Sequence, residues 1–208
     1  MPDFSLELAA GGIVAGIDEA GRGPWAGPVV AGAVILDRNL IPPAIAARLD
    51  DSKKLSHAKR EALFEPLMTG GWAKVGIGLA SAAEIDSLNI LKATFLAMKR
   101  ALEALGEMPS LALVDGNRAP PLPCLVQTVV KGDGISLSIA SASICAKVTR
   151  DRIMCELALR HPGYGWESNA GYGTAEHHEA LQRLGVTPEH RRSFAPVAAL
   201  VGKLQRRL

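Results

Sequence analysis

Apolar residues come first in strand-length runs and later at helical spacing. Residues 13–18 form a short apolar run that leads into the turn-rich stretch Glu19-Ala20-Gly21-Arg22-Gly23-Pro24. Val29–Leu36 is apolar throughout, as expected of a strand covered on both faces. Val75, Ile77 and Leu79 alternate with Lys74, Gly76 and Gly78, which predicts a strand of period two. The period then lengthens. Leu91, Phe95, Met98, Leu102 and Leu105 share one helical face, and Gly106 is the stop. Two further apolar runs, 110–114 and 125–130, lead into the turns Asp115-Gly116-Asn117 and Lys131-Gly132-Asp133-Gly134. A long helix is expected over 137–160, and small residues in its first half would let it approach a sheet or a substrate closely. After His161-Pro162-Gly163 the chain is polar and loop-like to Gly173, and short helices are expected over 175–184 and 196–205. Strands followed by alternating helices and strands predict an α/β fold with a mixed sheet.

Composition narrows the class. The 208 residues are 48% hydrophobic and 21% charged, which argues against disorder and for one domain with a real core. The expected layout is a single catalytic domain over 1–208, with a core at about 12–160 and a helical part at about 161–208. The three cysteines, Cys124, Cys145 and Cys155, include no CxxC pair, so neither a zinc site nor a disulfide framework is expected. No signal peptide and no membrane-spanning apolar stretch are evident, and the expected location is the cytoplasm. The net charge of +2 says little, but from Lys131 onward 11 Lys/Arg face 7 Asp/Glu, a balance compatible with a polyanionic partner or with a solvated surface. The terminal Lys203-Leu204-Gln205-Arg206-Arg207-Leu208 is basic but too short to interpret.

Four acidic residues stand where predicted strands end or just beyond: Asp18, Glu19, Asp115 and Asp133. In open α/β sheets ligand sites gather near strand ends. Clustered carboxylates repel one another and persist mainly where a cation offsets their charge. Magnesium-like cations take oxygen ligands, and two of them can activate water and stabilise the leaving oxygen of a phosphodiester. Asp18 and Glu19 would face opposite sides of a regular strand, so both serve one site only if the strand ends near Glu19. An acidic residue after a strand is also an ordinary turn former or helix N-cap, and Asp115 in Asp-Gly-Asn is the most turn-like of the four. Beside the pair, Gly21-Arg22-Gly23 could offer amides and a guanidinium to a phosphate or a sugar hydroxyl, or could be only a tight turn with a solvated arginine.

The stretch 16–24 with 26–30 beyond it, then Asp51-Ser52-Lys53-Lys54-Leu55, Val114-Asp115-Gly116-Asn117, Lys131-Gly132-Asp133, the block 138–152, Gly171-Tyr172-Gly173-Thr174 and His190-Arg191-Arg192-Ser193-Phe194, in this order, resembles the ribonuclease HII family. The resemblance runs over about residues 12–200. It implies a ribonuclease H-like fold, a mixed five-stranded sheet flanked by helices with further C-terminal helices. It implies an endonuclease for RNA paired to DNA and for single ribonucleotides in duplex DNA, cutting on their 5′ side by a two-metal mechanism with Mn2+ or Mg2+ and leaving 3′-hydroxyl and 5′-phosphate ends. By position, Asp18, Glu19, Asp115 and Asp133 match the catalytic, metal-binding carboxylates. Gly21, Arg22 and Gly23 match the turn that senses the ribose 2′-hydroxyl, and Tyr172 matches the tyrosine that stacks on the next sugar. Trp25 and Cys145 stand where aliphatic residues are expected.

Weaker candidates are Lys53 and Lys54 as phosphate contacts, Ser143 and Lys147 as substrate-facing residues on the long helix, and Arg191 with Arg192 as contacts to the nucleic-acid backbone or mere flanks of a helix. His177 and His178 read as surface residues rather than ligands of a hard cation. The expected partners are RNA–DNA hybrids and ribonucleotide-containing duplexes, with no protein partner evident, no membrane, and a monomeric state. A DNA nuclease or resolvase of the same fold and a non-catalytic nucleic-acid-binding module are the competing readings.

Overall fold

Small residues decide how closely the layers stack. A computed structural model describes residues 1–205, so Arg206-Arg207-Leu208 of the basic terminus lie outside the described residues. Strands β1 (Val14–Ala20), β2 (Val29–Leu36), β3 (Ala73–Ala80), β4 (Leu111–Asp115) and β5 (Leu125–Val129) form one sheet in the order β3-β2-β1-β4-β5. β1 is antiparallel to β2 and parallel to β4, β2 is antiparallel to β3, and β4 is parallel to β5. The sheet is thus mixed, as expected.

Helix α1 (Ser5–Ala10) precedes the sheet, and α2 (Pro43–Ala46) and α3 (His57–Thr69) lie between β2 and β3. α4 (Ala82–Leu88) and α5 (Ile90–Ala104) follow β3, and α6 (Leu137–Arg160) follows β5. The chain ends in α7 (Trp166–Asn169), α8 (Ala175–Leu184) and α9 (Ala195–Gln205). α6 lies against β1 and β2, where Gly16 and Gly32 let it in. A Cβ on Gly16 would run into the backbone of Ser138 and Ile139, and one on Gly32 would meet the Ala142 carbonyl oxygen at 2.5 Å. Neighbouring strand positions alternate to the other face, where Ile17 and Ala31 pack with Ala97, Ala101 and Leu102 of α5. Burying a large residue such as Ile17 or Leu102 contributes about 1.5–3 kcal/mol relative to leaving it exposed.

The long helix spans Leu137–Arg160 as expected, and β2 matches the apolar run residue for residue. β1 reaches two residues further than the apolar run, carrying Asp18 and Glu19 within the ladder opposite Gly32 and Ala31. The polar stretch after Gly163 is not all loop, because it holds the single turn α7, whose Trp166 is buried. α1 is too short to show a period. Its Glu7 Oε1 accepts from the Ser138 amide at 3.0 Å and from the hydroxyls of Ser136 and Ser138, so a carboxylate sits at the positive end of α6. α7, α8 and α9 pack through Trp166, Leu181 and Val197 onto Met154 and Leu157 of α6.

Candidate active site

β1, β4 and β5 are parallel neighbours, so their C-terminal ends fall on one edge of the sheet. Asp18 and Glu19 lie near the end of β1, Asp115 is the last residue of β4, and Asp133 sits in the 3-10 turn Gly132–Gly134 just past β5. Asp18 is on the α6 face with Gly16, next to Ser143. Regular alternation would turn Glu19 away. The ladder stops one residue later, however, and Glu19 lines the same cleft as Ser143 and Lys147.

Electrostatics ties the four together. Burial first, and then the charges of Glu19 and Asp115, push the Asp18 carboxyl well above the ordinary range. Burial also raises Glu19, with Arg22 working against it and Asp115 with it. Asp133 is pushed up to about 6 by burial, then by Asp115 and Asp51. Burial pulls the Lys53 ammonium down, but Asp18, Asp133, Asp51 and Asp115 together hold it above the ordinary lysine value. Lys53 lines both a cleft of 330 Å³ beside Glu19 and Tyr172 and a groove of 580 Å³ beside Asp115 and Asp133. A further cavity of 550 Å³ near Trp72 and Glu107 gathers none of the four carboxylates.

Three of the carboxylates are engaged with the protein. Asp18 Oδ1 accepts from the Glu19 amide at 2.7 Å, Asp115 Oδ1 accepts from the Gly132 amide at 2.7 Å, and Glu19 Oε1 meets Arg22 Nη1 at 3.2 Å. Among the described residues no three acidic, histidine or cysteine side chains are drawn into a compact metal cage. The donor set is nevertheless all anionic oxygen, the chemistry that suits a hard divalent cation.

The Gly21–Gly23 turn follows Glu19 directly, with Gly21 at φ +94°. Tyr172 is 47% exposed, and its ring edge lies 3.5 Å from where a Cβ on Gly23 would be. Ser143 is buried and donates to Ser52 Oγ at 2.8 Å, while Lys147 meets Asp151 at 2.6 Å, so both face the cleft through partners of their own. Lys54 pairs with Asp50 at 3.1 Å on the surface.

Two expectations need correction. His177 is not a surface residue. It is fully buried, because Ala180 and Leu181 share its face of α8, whereas His178 is exposed. Its Nε2 accepts from Trp166 Nε1 at 3.2 Å and lies 3.2 Å from His190 Nε2, and its Nδ1 lies 2.9 Å from the Tyr172 carbonyl. His190 Nδ1 accepts from the Thr187 amide at 3.0 Å, so in the neutral form the proton sits on its Nε2 and shares the single lone pair of His177 Nε2 with Trp166 Nε1. Arg191 is no contact to nucleic acid either. It is fully buried and donates to backbone carbonyls, while the Arg192 amide donates to Asp86. Arg150, also buried, escaped notice in the sequence. Its spacing with Ser143, Ala146, Met154 and Leu157 on one helical face was the available signal. Burial pulls both guanidiniums down, Arg191 to about 9 and Arg150 to about 10, and both remain charged at neutral pH.

Comparison with known proteins agrees with this architecture. A family model described as Ribonuclease HII matches residues 15–197. A Ribonuclease HII of Rhodospirillum rubrum is 66% identical over 197 residues, covering 95% of this chain and 90% of the relative. One of Paramagnetospirillum magneticum is 64% identical over 198 residues, covering 95% and 98%. Among solved structures, the ribonuclease H2 of Pyrococcus horikoshii superposes with a TM-score of 0.76 at 28% identity, covering 93% of this chain and 99% of the other.

Proposed function

The chain belongs to the ribonuclease HII family, endoribonucleases that cleave RNA paired with DNA, and from this premise we propose that it also cuts duplex DNA on the 5′ side of a single embedded ribonucleotide, leaving a 3′-hydroxyl and a 5′-phosphate. One adjacency carries the reading: the Gly21–Gly23 turn, with the Tyr172 ring edge against Gly23, shares a cleft with Glu19 at the sheet edge where the four carboxylates gather. DNA lacks the 2′-hydroxyl, so selection of a ribonucleotide needs a group that touches it at the scissile position. The turn supplies amide donors there, and Arg22, half-exposed and among the described residues paired only with Glu19, can turn to a phosphate. Tyr172 would lie flat on the following sugar, where a 2′-hydroxyl would disturb the fit. Lys53 would hold the scissile phosphate from the opposite wall.

Asp18, Glu19, Asp115 and Asp133 would hold Mn2+ or Mg2+, which when bound lowers the pKa of an attacking water and offsets charge on the departing 3′ oxygen. The raised Asp18 and Asp133 support that assignment: burial raises both first, and neighbouring carboxylates, whose repulsion a divalent cation would relieve, raise them further.

The test uses a DNA duplex with one internal ribonucleotide beside an all-DNA control, each with Mg2+, Mn2+ and a chelator. Metal-dependent cutting just 5′ of the ribonucleotide, with the control intact, is the expected result. Cutting of both duplexes would make the protein a DNA nuclease, and binding without cutting would make it a binding module.

A further inference from the structure

Two arginines lie wholly inside the protein, and among the described residues neither has a carboxylate partner. Every hydrogen bond they make goes to a backbone carbonyl. Arg191 donates from Nε to Gly27 at 3.0 Å, from Nη1 to Arg22 at 3.0 Å and from Nη2 to Gly21 at 2.6 Å. Arg150 donates from Nε to Pro28 at 3.0 Å, from Nη2 to Ala26 at 3.2 Å and from Nη1 to Ala170 at 3.0 Å. Charged donors satisfied only by neutral carbonyls give up the attraction of a counter-ion, so this arrangement must return something else.

What it returns is direction. In a trans peptide the carbonyl and the following N–H point opposite ways. Arg191 draws the Gly21 carbonyl inward, which turns the Arg22 amide outward. It draws the Arg22 carbonyl inward, which turns the Gly23 amide outward. Neither amide has an acceptor among the described residues, and both residues line the cleft shared with Glu19 and Tyr172. The turn has no freedom to lean back, because a Cβ on Gly21 would overlap the Arg150 side chain. The Arg191 guanidinium is further set by the Phe194 ring, whose centroid is 5.1 Å away.

We propose that Arg191 is a positioning residue for ribonucleotide discrimination: it aims the Arg22 and Gly23 amides at the ribose 2′-hydroxyl from behind, without touching the substrate. The inference rests on the proposed function, in which this turn meets the ribose. Arginine suits the position because its rigid fork donates to three carbonyls at once, whereas a lysine ammonium is a point charge on a flexible stem.

Arg191→Lys keeps the charge and loses the fork. Binding is measured with Ca2+ in place of the catalytic metal, as the ratio of Kd for an all-DNA duplex to Kd for the same duplex with one ribonucleotide. The ratio should fall about tenfold in the variant, the worth of one to two hydrogen bonds, with all-DNA affinity within about twofold of wild type. A purely structural role would weaken both duplexes alike and leave the ratio unmoved. A wild-type ratio of one removes the proposed function and the inference with it; a wild-type ratio well above one that Arg191→Lys preserves overturns the inference alone. Where Arg191→Lys does not fold, the wild-type protein decides by nuclear magnetic resonance. The Arg22 and Gly23 amide signals should move with the ribonucleotide duplex and stay with all-DNA, and equal responses to the two duplexes overturn the inference.

Discussion

Burial and the charges of Glu19 and Asp115 push the Asp18 carboxyl well above its ordinary value of 3.8, so its ionised form weakens the fold at neutral pH. The native state holds the Asp18 proton more tightly than the unfolded chain does, and this destabilisation grows as pH rises past 3.8. Asp18→Asn should therefore raise the melting temperature in chelator, by about 2–4 °C for each kcal/mol relieved, while abolishing cleavage. Calorimetry and a hybrid-cleavage assay on the same preparation check both halves; a lower melting temperature or retained activity would contradict them. Asp115→Asn should leave the fold intact and lower turnover by more than about a hundredfold, beyond the roughly 10–100-fold cost of losing an outer partner of a metal ligand. Cleavage near the wild-type rate in this variant would remove Asp115 from the chemistry.

The elements that matter most for the site are β1 and α6, and their contact is made of absences. Gly16 and Gly32 leave room for the backbone of α6, whose Ser143 and Lys147 then reach the cleft. Gly16→Ala would force α6 away, with an overpacking cost of about 1–3 kcal/mol. Thermal unfolding should register the loss, and cleavage should fall with it as Ser143 leaves Asp18; an unchanged melting curve would mean that the helix yields freely. Much at this scale was legible beforehand. The apolar run of β2, the period of α5 and the small residues of α6 each state their own environment. The four acidic residues stand at or near strand ends, a pattern that ordinary turn formers share, and the ordered motifs of the family resemblance single them out. α2, α3 and α4 were not legible. α3, for example, buries only Leu63, Phe64 and Leu67 and has a proline at Pro66, so its period is weak. Arg150, His177 and Arg191 stayed hidden for a different reason: a polar side chain is read as exposed unless its partners are known, and theirs are carbonyls and rings distant in sequence.

At the scale of the whole molecule, the C-terminal segments are tied to one another partly through groups that stay uncharged. Burial, then the neighbouring His177 and His161, pull His190 down to about 3 from its ordinary 6.5, and burial lowers His177 as well. Their stabilisation is complete above pH 6.5 and is lost as pH falls toward 3, because the unfolded chain takes up protons that the native state refuses. Below pH 6.5 wild type should lose stability more steeply than His190→Gln, by up to roughly 1.4 kcal/mol per pH unit, the slope of the one histidine removed. Parallel stability curves from denaturant titrations would show that the pair is not responsible. Mn2+ should raise the wild-type melting temperature in a concentration-dependent way, and should do so far less when Asp18 and Asp115 are both asparagine.

The guanidinium under the Gly21–Gly23 turn comes from a residue 170 positions later in the chain, and that interval has a meaning in time. A ribosome has added all four carboxylates once residue 133 is joined, but Arg191 follows only 58 residues later, roughly 3–12 s at about 5–20 residues per second. Until then the turn lacks the Arg191 guanidinium, with only Arg150 behind Gly21. Under the proposed roles, a chain that ends between α6 and Arg191 would hold the four carboxylates and lack the guanidinium that directs the Arg22 and Gly23 amides. If Arg191 directs the turn as proposed, vectorial synthesis would deliver that brace late, and near-complete translation would be a condition of selectivity.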